Sequence, residues 1–119
     1  REDFRSAWNI IQSNDRPGDV VIVMPLFYRT PMGYYVQDRL PVIGLLDSSL
    51  TPRQVIDIAL PPIEVQHEGF TMWVVLPYES VFDPNHVLRR GLDRQLIRTG
   101  SYRLGGNMEM RSYRIPTGS

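Results

Sequence analysis

Three apolar runs in this chain each lead, within a few residues, to a Thr-Pro or Asp-Pro step. Val20–Met24 is followed by Thr30-Pro31, Val42–Leu46 by Thr51-Pro52, and Met72–Leu76 by Asp83-Pro84. A Thr or Asp side chain can satisfy the exposed N–H groups of a helix's first turn. Proline within that turn sacrifices no hydrogen bond and presets φ. Apolar runs alternating with capped helices are the pattern of βα units, which assemble through parallel strands.

The rest of the chain fits around these units. Asp3 is placed to cap a first helix whose Phe4, Ala7, Trp8 and Ile11 share one face. Asn14–Asp19 ends it through the Pro17-Gly18 turn, and the run after it suits a strand buried on both faces. Helices are expected over Thr30–Arg39, over Thr51–Leu60 with Pro61-Pro62 as the stop, and from Asp83 with Leu88, Leu92 and Leu96 in register. In the third strand Trp73 and Val75 point to one face, and Met72, Val74 and Leu76 to the other. Ser101–Leu104 and Met108–Ile115 flank Gly105-Gly106-Asn107 as a hairpin. The expected architecture is one α/β domain over residues 1–119. It has three αβα layers and a small, mostly parallel, Rossmann-like sheet closed by a C-terminal antiparallel hairpin.

Composition narrows the function classes. Thirteen basic residues, all Arg, balance thirteen acidic ones, so no global field favours nucleic acid or an anionic membrane. The absence of Cys excludes disulfides, thiolate metal sites and Cys nucleophiles. No window approaches the ~20 apolar residues of a membrane span. The chain begins at Arg1 and not Met, which leads us to expect a piece of a larger protein.

In open α/β sheets, ligands sit beyond the carboxyl ends of the strands where strand order reverses. If the first and third strands are neighbours, Tyr28, Arg29, Tyr34 and Tyr35 would face Tyr78, Glu79 and Ser80 across one crevice. The helix start at Thr30-Pro31 would offer N–H groups to an anion, with Arg29 beside it. The candidate binding set is therefore Tyr28, Arg29, Thr30, Tyr34, Tyr35, Tyr78 and Glu79, suited to a sugar or a phosphate. The same tyrosines could instead pack helix to sheet. Neither dinucleotide nor P-loop glycines follow the first strand, where Pro25, Leu26, Phe27 and Tyr28 stand, and no motif calls for a cofactor. Ser80 and His86 suggest a hydrolase, but the glycines of a nucleophile elbow are missing, and Asp83 is better placed as a helix cap. His67 and His86 lack the further ligands a metal needs. Arg89, Arg90, Arg94 and Arg98, with Asp93 among them, read as a solvated helical face.

The ordered set Glu2-Asp3-Phe4-Arg5, Arg16-Pro17-Gly18-Asp19-Val20-Val21, Tyr34-Tyr35, Pro41-Val42-Ile43-Gly44 and Met72-Trp73-Val74-Val75-Leu76 resembles a known region. It is similar to the soluble C-terminal region of bacterial membrane glycosyltransferases of the protein-mannosyltransferase-like family. Asp47–Leu60 and Val65–Phe70 have no counterpart in that pattern. The resemblance implies a polytopic parent that takes a sugar from a polyprenyl-phosphate carrier outside the cytoplasm, with its catalytic carboxylate in an early loop beyond this chain. No catalytic residue carries over. This chain would be an accessory extracytoplasmic domain, meeting glycan or lipid-linked sugar at the Tyr28/Arg29/Tyr78/Glu79 crevice and reaching the membrane through the parent's spans. The alternatives are a free-standing sugar- or phosphate-binding module, a small serine hydrolase, and a structural or dimerising domain.

Overall fold

The computed structural model describes residues 2–118. Its strands are β1 (Val20–Val23), β2 (Val42–Gly44), β3 (Thr71–Pro77), β4 (Ile97–Leu104) and β5 (Met108–Arg114). They form one sheet in the order β2-β1-β3-β5-β4. β1 is parallel to both β2 and β3, so the first and third apolar runs are neighbours, the condition on which the expected crevice rested. β5 pairs antiparallel with β3 and with β4.

The expectation of a mostly parallel sheet is corrected. The fold is mixed α/β, and its antiparallel ladders span seven residue pairs each, against three and four for the parallel ones. The reason is the hairpin. Its strands follow one another directly through a tight turn, where Gly106 (φ +69°) and Asn107 (φ +58°) take the left-handed backbone those residues tolerate best. Such a ladder is not limited by crossover geometry. β4 also begins at Ile97, four residues ahead of the expected start.

Alternate residues of the sheet feed two apolar clusters. One joins Val20, Ile22, Met72, Val74 and Leu76 to Val55, Ile56, Leu60, Leu88 and Leu92. The other joins Val21, Val23, Trp73 and Val75 to Phe4, Ala7, Ile11, Met32 and Val36. Helical side chains join each cluster, at about 1.5–3 kcal/mol of hydrophobic stabilisation for each large side chain buried.

The helices are α1 (Phe4–Gln12), α2 (Arg29–Val36), α3 (Pro52–Gln54), α4 (Leu60–Gln66), α5 (Glu79–Phe82) and α6 (Val87–Gln95). Asp3 caps α1 by accepting from the Ser6 N–H, and Thr51 and Gln54 form a reciprocal capping box at α3. Asp83 also caps, though at a distance. Its two oxygens accept from the N–H groups of Val87 and Leu88 at 3.0 and 2.8 Å, and α6 begins only at Val87.

Besides the later start of α6 and an α2 that ends at Val36 and not Arg39, two proline steps act differently from expectation. Thr30-Pro31 does not open α2, because a 3-10 turn over Leu26–Tyr28 runs straight into a helix that starts at Arg29. Pro61-Pro62 does not stop the third helical segment either. A π-helical turn over Val55–Ala59 separates α3 from α4, placing both prolines in the first turn of α4. The wider turn shifts the carbonyls that the proline rings would strike in an unbroken α-helix. Gly91 lets α6 come close to this turn, since a Cβ there would lie 2.7 Å from the Ile56 side chain.

Asp19, 1% exposed, fixes where β1 starts. Its carboxylate accepts from the Arg16 N–H (3.1 Å), the Thr71 N–H (2.9 Å) and the Trp73 Nε1–H (3.2 Å). One buried side chain therefore ties the turn before β1 to the beginning of β3. A second carboxylate, Asp93 of α6, accepts from Arg111 Nη1 (3.1 Å) and from the Tyr113 hydroxyl (2.7 Å), fastening α6 to β5. Burial first, with the Asp93 hydrogen bond adding to it, pushes the Tyr113 phenol up to about 12.

Replacing Asp19 by Ala should cost about 3 kcal/mol in denaturant unfolding, because three N–H groups lose an ionised acceptor together. Tyr113 predicts an alkaline limb. The folded state holds the phenolic proton more tightly than the unfolded state, so its contribution is complete below pH 10 and is lost as pH rises toward about 12. The loss should reach about 2–3 kcal/mol, and Tyr113→Phe should flatten that part of the stability profile.

Candidate functional site

Strand order reverses between β1 and β3, and the crevice at their carboxyl ends is filled by aromatic rings. Tyr28 lies 6.4 Å from Tyr78, 5.8 Å from Phe4 and 4.5 Å from Phe27, and Phe27 meets Phe82 edge-on at 5.6 Å. Tyr28 and Tyr78 therefore do come together, as the sequence suggested, but as packed neighbours. Desolvation and then the nearby Glu2 carboxylate raise the Tyr28 phenol. Hydrogen bonding to Glu2 is the leading cause of the rise at Tyr78.

The other candidates separate. Arg29 donates its Nε–H to the Val42 carbonyl at 3.1 Å, over the edge strand β2 and away from β3. With Thr30 it borders a shallow recess that also includes Asp38 and Pro41. Tyr34 is 73% exposed, and Tyr35 stands edge-on to it at 5.2 Å with the Arg5 guanidinium 5.9 Å from its ring, on the α1 side of α2. Because α2 starts at Arg29, Thr30 is its second residue and does not cap it.

Glu79 points elsewhere, into a cleft of about 400 Å³ between α5, α6 and the hairpin. Its side chain is 7% exposed. One carboxylate oxygen pairs with Arg89 Nη2, and the other lies 3.3 Å from His86 Nδ1 but out of line for a hydrogen bond. The same Arg89 nitrogen also reaches Glu109 Oε1 at 2.9 Å, and Arg103 approaches the far Glu109 oxygen at 3.7 Å. Ser80 and Asn107 complete the polar wall, and Leu76, Leu104 and Met108 supply apolar surface.

Backbone strain gathers at this cleft. Tyr78, His86 and Asn107, with φ of 53°, 55° and 58°, are three of the five non-glycine residues at positive φ among those described. Asn accepts this region readily, whereas for Tyr and His it costs on the order of 1 kcal/mol. The Tyr78 N–H donates to the Asn107 carbonyl at 3.0 Å, so two of the strained residues brace one another. Ser80 and His86 line the same cleft, yet among the described residues no hydrogen bond joins their side chains.

Sequence reasoning found Glu79 but not its partners. Arg89 reads as one of four arginines on a solvated stripe, and Glu109 as one polar residue of a hairpin. Arg89 and Asp93, four apart on α6, face Glu109 and Arg111, two apart on β5. The commensurate spacing of helix and strand was the available signal, but it has meaning only once α6 is known to pack on β5.

Compared with models of known protein families and with curated proteins, the chain matches none.

The Glu79–Arg89–Glu109 cluster should behave as a coupled unit. Arg89→Met leaves Glu79 buried without its cation and should destabilise the fold by about 3 kcal/mol. Adding Glu79→Gln should recover much of that loss, and a double-mutant cycle by denaturant unfolding measures the coupling.

Proposed function

We propose that this chain is an accessory, non-catalytic domain on the extracytoplasmic face of a polytopic membrane glycosyltransferase that draws on a polyprenyl-phosphate-linked sugar. The glycosyltransferase part of this reading rests on the resemblance carried by Glu2–Arg5, Arg16–Val21 and Met72–Leu76. One structural observation supports a membrane-proximal position: the face beside the start of α1 is apolar and exposed. Phe27 (60% exposed) and Leu26 (41%) project from the 3-10 turn, and Val81 (67%) projects from α5 next to Phe82, which Phe27 contacts. Phe4, the first residue of α1, packs against Tyr28 in the same aromatic group. In a parent of this kind, chain arriving from a membrane span would bring this face toward lipid. Tyr28 and Tyr78 would then lie where amphipathic rings are favoured. No helix among the described residues is long and apolar enough to cross a membrane, so the attachment in this reading belongs to other parts of the parent.

A three-layer, Rossmann-like arrangement belongs to the same proposal. The two apolar clusters on alternate sheet residues and the β2-β1-β3 order support it.

An antibody raised against this chain tests the proposal in the cells that make it. The expected antigen is much larger than 13.8 kDa, stays in the membrane pellet after carbonate extraction, and is cleaved by protease added outside the cytoplasmic membrane. A carbonate-extractable antigen close to the mass of this chain would overturn it.

A further inference from the structure

We infer that the cleft bounded by Glu79, His86, Arg89 and the β4–β5 turn is a binding site for a neutral saccharide. The inference goes beyond the membrane reading and holds whichever parent carries the chain.

Charge is the first argument. Glu79 and Glu109 oppose Arg89 and Arg103, so the carboxylates and guanidiniums of the cleft balance in number. Both arginines are already engaged by carboxylates, Arg89 by Glu79 and Glu109, and Arg103 by Glu109. An anion such as phosphate would meet two carboxylates beside the same guanidiniums. A cation would meet two arginines. A hydroxyl suits both kinds of group at once, because it donates to carboxylate and accepts from guanidinium.

Unmet hydrogen bonding is the second argument. Glu79 Oε2, His86 Nδ1 and Arg89 Nε are buried and lack hydrogen-bond partners, an unusual concentration for native structure. Glu79 is more than nine-tenths buried and still lines the cleft. A vicinal diol of a sugar ring could supply the donor that Glu79 lacks and accept from a neighbouring nitrogen. Ser80 and Asn107 offer further partners at the rim, and Leu76, Leu104 and Met108 offer apolar surface to the C–H groups of the ring.

Placement is the third argument. The cleft lies beyond the carboxyl end of β3, on the side of the β4–β5 turn. Its volume suits a small ligand, and the strained backbone of Tyr78, His86 and Asn107 is concentrated around it. This differs from the crevice expected from sequence. Of the residues expected around that crevice, only Glu79 and Ser80 line the cleft.

The test is an amide NMR titration of this chain with the methyl glycosides of mannose, glucose, galactose and N-acetylglucosamine, and separately with inorganic phosphate. The expected result is saturable, millimolar binding of at least one glycoside, with shifts centred on Ser80, His86 and Asn107 and none at these residues with phosphate. Two variants preserve the fold: Arg103→Ala, whose side chain is 88% exposed, and Asn107→Gly, which keeps the left-handed backbone. Each should weaken the best glycoside about tenfold, as loss of one good hydrogen bond does. The inference is overturned if no glycoside saturates these amides, if phosphate saturates them instead, or if both variants bind as the parent chain does. None of these outcomes bears on membrane attachment, so the two readings can fail separately.

Discussion

The buried carboxylate of Asp19 is the constraint on which the sheet's central pair depends. β1 and β3 are apolar on both faces, so side-chain pattern alone sets their register only weakly: sliding one past the other by two residues would bury the same kinds of atoms. Asp19 removes that freedom. By holding the Arg16 N–H on its own turn, and the Thr71 N–H and Trp73 indole N–H on β3, it defines which residue of β1 lies beside which residue of β3. Val20 then pairs with Met72 and Val23 with Val75, and the two core clusters follow from the alternation of those side chains.

A second polar seam positions the cleft. α6 meets β5 through Leu88 and Leu92 beneath and through charged side chains at the side. Asp93 holds Arg111 and Tyr113, and one helical turn earlier Arg89 holds Glu109 and Glu79. Breaking up these ion pairs is costly where it leaves Glu79 or Arg111 buried and charged without a partner, whereas their net contribution to stability is modest. Their value lies in geometry. They fix the distance between the start of α6 and the hairpin turn, and that distance is the width of the cleft.

Much of the local structure was legible because it depends on neighbours in sequence. The caps at Asp3 and Thr51, the alternation of Trp73 and Val75 against Met72, Val74 and Leu76, and the Gly105–Asn107 hairpin all follow from short-range stereochemistry. The readings that failed were local rules overridden by packing. Thr30-Pro31 has the residues of a helix start, but the 3-10 turn before it already supplies the winding. Pro61-Pro62 ought to end a helix, and does not because one π-helical turn makes room for both rings. The candidate site was legible in part for the same reason. Tyr28 and Tyr78 follow runs that pattern marks as strands and meet because those strands pair, whereas Arg29 and Glu79 diverge because each has a partner that pattern does not reveal.

By itself the sequence determined that this chain makes an α/β fold with a hairpin at the end, because apolar period, caps and turn residues are written within a few positions of where they act. Only the tertiary structure decided the balance of parallel and antiparallel pairing, the filling of the expected crevice by Phe4, Phe27, Tyr28 and Tyr78, and the gathering of Glu79, His86, Arg89 and Glu109 around another cleft. The last of these depends on how α6 docks against β5. Docking joins residues up to thirty positions apart, from Glu79 to Glu109, through ion pairs whose partners have no sequence periodicity in common until the helix and the strand lie against each other.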